Sequence, residues 1–261
     1  MALRYFELNF TVQLGVDIHC TKSQAFIGRL IRKLSGIAVQ HGSNRISNYC
    51  FNNFFPIEKD KVYKAGKLYI FRLRSSNLDW IKTIRDNALH YKSSELRIEN
   101  VNYKTVNQYH VTELISVTPV VIVLNQTASK EECLPKYLNA RLGKNDEVKD
   151  NLKAQKSLLD LKTYESRLVS NLQKKYNDSY KEAPISLGED FFMLTAMEIN
   201  NQKPAVIVYE KDAKEIKFLG NKFKLIFNDD ELSQRLAWTA LSCGLGEKNA
   251  LVGAGFCVGK S

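Results

Sequence analysis

Phe6-Glu7-Leu8-Asn9-Phe10-Thr11-Val12 alternates apolar and polar residues, the pattern of a strand with one buried face. Thr21, followed three residues later by Gln24, reads as a capping box that opens a helix. Phe26, Ile27, Leu30, Ile31, Leu34 and Ile37 then recur at helical spacing, so a helix is expected from about Lys22 to Val39. Arg29, Arg32 and Lys33 lie mostly off its apolar face. Aromatic-rich runs at Ser47–Phe55 and Lys67–Arg74 favour strands. Leu78, Ile81, Ile84 and Leu89 carry a second helix over Asn77–His90, and extended structure resumes from Glu95 to Val117.

The order strand, helix, strand, strand, helix, strand is the split arrangement of a ferredoxin-like unit. After Pro119, the run Val120-Val121-Ile122-Val123-Leu124 is expected to open a second unit as a buried strand. A charged helical insertion follows, strongest over Asp146–Tyr176, and a solvated face is its favoured reading. Strands are expected at Phe191–Asn200 and Pro204–Glu210 around an Asn200-Asn201 turn. Another pair is expected within Lys214–Asn228, turning near Gly220-Asn221. A helix over Asp229–Ser242, a glycine-rich loop and a short strand at Gly255–Val258 complete the chain. The expected fold is α+β, with tandem ferredoxin-like (RRM-like) domains over residues 1–118 and 119–261, the second ending in the glycine-rich loop.

Composition narrows the partners. The 261 residues carry 38 lysines and arginines against 28 acids, a net charge of +10. That excess suits a polyanion, either nucleic acid or an anionic surface. No run approaches the roughly 18 apolar residues of a spanning helix, and the alternating N-terminus lacks a signal-peptide core. Cys20, Cys50, Cys133, Cys243 and Cys257 form no CxxC pair, so they are expected as reduced thiols of a cytoplasmic protein without a metal site or cofactor.

The densest chemical signal is Gly244-Leu245-Gly246-Glu247-Lys248-Asn249-Ala250-Leu251-Val252-Gly253-Ala254-Gly255-Phe256. Its glycines let backbone approach another molecule closely, and loop N–H groups with one cation suit phosphate oxygens. The plain alternative is a helix C-cap at Gly244 followed by a tight turn, although a cap needs one glycine and not four. Gly244-x-Gly246 mimics a dinucleotide fingerprint, and Ala254–Ser261 a loose Walker A loop. Both are set aside: the first follows a helix and lacks its third glycine, while the second lacks its first glycine and the helix a P-loop needs.

Of His19, His41, His90 and His110, His41 is the best placed for proton transfer. It follows the first predicted helix, where carbonyl dipoles favour the protonated ring. His19 precedes that helix, roughly 25 Å away at 1.5 Å per residue, so the two do not share a site.

The tail resembles the C-terminal signature of CRISPR repeat-RNA endoribonucleases of the RAMP superfamily: Gly-hydrophobic-Gly, a short basic spacer, then Gly-x-Gly. This chain has one extra spacer residue and Ala254 where a large apolar residue is common. The Thr118-Pro119-Val120-Val121 junction and the order of elements also match, so the resemblance covers essentially the whole chain. It implies metal-independent cleavage by the ribose 2′-hydroxyl, leaving a 2′,3′-cyclic phosphate and a 5′-hydroxyl. His41 and Arg45 fall at the family's catalytic positions, with acid and base roles left open. Some relatives place a tyrosine where this chain has Arg32. Arg29, Arg32, Lys33, Gly244, Gly246, Lys248, Asn249, Gly253 and Gly255 are the expected RNA contacts. The implied partner is CRISPR repeat RNA, with effector-complex subunits as a further partner, and the protein acting as monomer or homodimer. The alternative reading is a non-catalytic RNA-binding RAMP subunit.

Overall fold

The computed structural model describes residues 3–36, 48–122, 161–188, 191–201, 204–211 and 214–261, a mixed α+β chain built on antiparallel sheets. The first sheet holds β1 (Arg4–Leu14), β3 (Tyr49–Phe51), β5 (Leu68–Ser75) and β6 (Leu96–Asn107) in the order β3-β5-β1-β6. A small ribbon pairs β2 (Ile18–His19) with β4 (Val62–Tyr63). Alternation along β1 sends Phe6, Leu8, Phe10, Val12 and Leu14 into one core with α1 (Cys20–Leu34) and α2 (Leu78–His90). Burying side chains such as Leu8 and Phe10 contributes about 2–3 kcal/mol each. On the other face of β1, Asn9, Thr11 and Gln13 are half-buried, while Tyr5 and Glu7 are buried.

The first helix departs from expectation at both ends. His19, not Thr21, is the cap: its ring Nδ1 accepts from the Thr21 amide. Gln24 is turned inward and donates to the Gly253 carbonyl at 3.1 Å. The helix stops at Leu34, five positions short of Val39, because Gly36 takes a left-handed φ of +64°.

The second sheet holds β7 (Glu113–Ser116), β8 (Leu194–Ile199), β11 (Phe223–Phe227) and β12 (Cys257–Lys260) in the order β12-β7-β11-β8. It packs on α3 (Leu161–Ser179) and α4 (Glu231–Cys243). Because β7 pairs with β11 and β12, the second sheet begins ahead of the Thr118–Pro119 junction. Val120 and Val121 make only isolated bridges, to Asn221 and Glu247, instead of the expected strand; Val123 and Leu124 lie outside the described residues.

The helix read as a solvated insertion is a core element over its described part. Tyr164, Leu168, Val169, Leu172, Lys175 and Tyr176 of α3 are buried along one side, and residues 146–160 lie outside the described set. Strand pairing in this half is nested. β9 (Ala205–Lys211) pairs with β10 (Lys214–Gly220), while β8 pairs with β11. Asn200-Asn201 and Gly220-Asn221 are therefore corners between two sheets and not hairpin turns. Period-2 patterning names the strands but not their partners.

A buried ion pair within the first half also reaches the second through its arginine. Arg74 of β5 donates to Glu7 Oε2 at 2.6 Å and to the Cys257 carbonyl of β12 at 2.7 Å, with its guanidinium 4.4 Å from the Phe256 ring centroid. Removing one partner of such a pair strands the other charge. Glu7→Ala is expected to lower the unfolding free energy by about 3–5 kcal/mol in urea denaturation. A Glu7→Leu/Arg74→Leu double variant should recover much of that loss, because no charge is left stranded; equal losses in the two proteins would contradict this account.

Cys20, Cys50, Cys243 and Cys257 are free thiols, and Cys133 lies outside the described residues. Among the described residues, no helix is long and apolar enough to cross a membrane.

Candidate functional site

Asp230 caps α4 by accepting from the Ser233 amide, and the helix runs until Gly244 adopts a φ of +82°. From there the chain folds into a compact turn around the one-turn helix α5 (Asn249–Val252) before entering β12. Gly244, Gly246, Gly253 and Gly255 are all buried. Gly255 has φ +67°, and a Cβ there would lie 1.9 Å from the Leu245 carbonyl oxygen. Gly253 has φ +61°, and its Cβ would lie 2.6 Å from the Phe51 ring. Glycine is required at both because backbone and ring occupy the space a side chain would need.

This corrects the expectation of open amides at three of the four glycines. The N–H groups of Gly244, Gly253 and Gly255 donate to the carbonyls of Ala240, Asn249 and Pro119 at 2.8–2.9 Å. Asn249 is committed as well, its side-chain amide donating to the carbonyls of Leu245 and Ala254. These residues build the turn and do not present donors to a ligand. Thr118 ties the junction to the tail: its hydroxyl donates to Gly253 O and accepts from the Phe256 amide. Lys248 remains half-buried at the rim, with a left-handed φ of +62°.

Three oxygens of the turn converge on a residue that patterning missed. Lys175 Nζ donates to Gly244 O, Gly246 O and Asn249 Oδ1, each at 2.7 Å. Its position on the α3 stripe with Leu168, Leu172 and Tyr176 was the available signal, hidden because a lysine is ordinarily read as solvated.

α1 lies against this turn. A Cβ on Gly28 would lie 2.4 Å from Leu251 O, so the helix touches α5 directly. Arg32, one turn further on, acts electrostatically on the Tyr49 hydroxyl, opposing the burial that lifts its pKa to about 12. That hydroxyl donates to Ala250 O at 3.3 Å. Arg29 and Lys33 project elsewhere, over a cleft with Glu95 and Tyr91. Arg32 is thus associated with Tyr49, which bonds the tail, while Arg29 and Lys33 line the cleft with Tyr91 and Glu95. His41 and Arg45 fall in residues 37–47, outside the described set. The described chain on either side of that segment, α1 and Tyr49, contacts the tail.

A groove of about 560 Å³ opens between the halves. Asn52, Phe55, Ile70 and Arg72 line one side, and Val206 and Lys222 the other. Phe55 is 59% exposed, an apolar platform in a groove also lined by Lys61, Arg72 and Lys222. This pairing of an accessible ring with a basic rim is how unpaired nucleic-acid strands are held. Sequence reasoning counted these aromatics only as strand formers. Among the described residues, no three His, Cys, Asp or Glu side chains are grouped to hold a metal ion.

Residues 111–258 match the family model described as CRISPR associated protein Cas6, C-terminal, which covers more than half of the chain. The chain belongs to the Cas6 family. This is the CRISPR-associated repeat-RNA-processing family that the tail resembles. The Cas6 match spans the described part of α3, with Lys175, and the whole glycine-rich turn. Solved structures agree in fold. One, "CRISPR associated protein Cas6", has a TM-score of 0.63 at 15% identity, covering 98% of this chain and 100% of its own. A second, "An RAMP protein binding different RNA substrates", scores 0.61 at 15% identity with the same coverage. A Cas6-related protein from Pyrococcus furiosus scores 0.58 at 14% identity, covering 100% and 99%. No curated protein sequence matches the chain.

Proposed function

We propose that this Cas6-family chain is a metal-independent endoribonuclease that cuts CRISPR repeat RNA in the cytoplasm. Its two halves are tandem ferredoxin-like units, each pairing a four-stranded sheet with two helices. The observation that carries the reading is the placement of the described chain flanking residues 37–47. α1 meets α5 at Gly28, and Tyr49 bonds Ala250, so described chain on both sides of residues 37–47 lies against the tail.

The ribose 2′-oxygen attacks the adjacent phosphorus while the bond to the 5′-oxygen breaks. His41 takes the 2′-hydroxyl proton or supplies the proton to the departing 5′-oxygen. Arg45 stabilises the charge that builds on the phosphorane-like transition state. Arg32 and Lys248 hold neighbouring phosphates at the rim of the turn. Unpaired bases rest in the groove on Phe55, with Arg72 and Lys222 beside their phosphates.

The test uses labelled repeat RNA in excess EDTA. Cleavage should proceed and leave 2′,3′-cyclic phosphate ends. An RNA carrying hydrogen in place of the single 2′-hydroxyl at the cut should bind with unchanged affinity and remain whole. Cleavage only on adding a divalent metal would refute the mechanism. Tight binding without any cleavage would favour the non-catalytic RAMP subunit instead.

A further inference from the structure

α3 crosses beneath the glycine-rich turn with a lysine aimed into it. Lys175 is 3% exposed, and its ammonium meets three oxygens at 2.7 Å. No carboxylate bonds to it among the described residues; the groups acting on it are the thiols of Cys50, Cys243 and Cys257, and more weakly Glu247. Burial pulls its pKa down to about 8, so the cation survives at neutral pH in a place that penalises it. A hydrophobic residue would fit a core stripe more cheaply. The three acceptors explain the lysine: Gly244 O and Gly246 O lie on one limb of the turn, Asn249 Oδ1 on the other. Between those limbs sits Lys248, a non-glycine residue in left-handed backbone, a conformation that persists only when its surroundings enforce it.

We propose that Lys175 is a positioning residue: by holding Gly244 O, Gly246 O and Asn249 Oδ1 together it fixes the turn that presents Lys248 to bound RNA. This rests on the reading that the tail faces RNA. Lys175 itself touches no substrate and acts through the turn.

The test is a double-variant cycle with repeat RNA in EDTA, comparing the wild type with Lys175→Met, Lys248→Ala and the pair combined. Lys175→Met should bind about tenfold more weakly, a 1.4 kcal/mol change. In the Lys248→Ala background the same substitution should cost little, since the contact it positions is already gone. Lys175→Gln, which keeps donors for two of the three oxygens, serves if the methionine variant does not fold and should show an intermediate loss. In Lys175→Ala, added n-propylamine should restore affinity where n-propanol does not. Wild-type affinity in both the methionine and glutamine variants, or full losses that simply multiply in the double variant, would overturn the positioning role alone. Wild-type affinity in Lys248→Ala would instead overturn the RNA-facing reading of the tail, and the proposal with it.

Discussion

Replacing His41 with alanine is expected to slow single-turnover cleavage of repeat RNA by about 10²–10⁴-fold, the range supplied by one positioned acid or base. RNA affinity should stay within a factor of about two or three, because phosphate contacts and stacked bases supply the binding. The separation of rate from affinity is the informative part. The nucleophile belongs to the substrate, so the protein contributes a proton-transfer group and charge stabilisation, and removing the first leaves the binding surface whole. Arg45→Ala should also slow cleavage, by about 10²–10³-fold if the guanidinium meets charge only in the transition state. The readout is a cleavage time course at saturating protein beside an equilibrium binding curve. A His41→Ala protein that cuts at the wild-type rate would remove this residue from the mechanism.

The second large effect is structural. Gly255→Ala should cost about 3 kcal/mol or more in unfolding free energy, among the heavier losses single substitutions produce. Two causes add. Alanine at a φ of +67° is strained, and its methyl would lie 1.9 Å from the Leu245 oxygen, so backbone must move. That movement threatens the bonds from the Leu245 amide to Gly255 O and from the Gly255 amide to Pro119 O. Gly66→Ala separates the two causes, because Gly66 has φ +79° with nothing within 4 Å of the place a methyl would occupy. It should lose only the conformational part, about 1 kcal/mol. Similar denaturation midpoints for the two variants would contradict the account of a packed turn.

The same packing explains why the tail was legible as a motif while three of its glycine amides were misread as open. Four glycines in a short span announced close approach, and the approach is real. Its object is protein: the Leu245 carbonyl, the Phe51 ring and the Val121 carbonyl each occupy space where a glycine lacks a side chain. Spacing reports that a side chain is forbidden, not what forbids it. The same limit hid Lys175, whose charge argued for solvent until three carbonyl-type oxygens were seen around it. It also hid Gln24, read as half of a capping box but used to bond Gly253 across the interface between halves.

By itself, the sequence determined most of the local elements and the basic character of the chain. Alternation in β1 and the apolar stripes of α1 and α2 follow from side-chain periodicity, and the +10 charge from composition, neither of which needs a fold. The tail motif pointed to the family that the match over residues 111–258 establishes. Only the tertiary structure decided which strands pair, where the second sheet begins, that α3 is core, and which cations share a face. Those depend on contacts between residues far apart in the chain, such as Tyr49 with Ala250 or Arg74 with Cys257, where geometry in three dimensions selects among partners that local patterns leave equivalent.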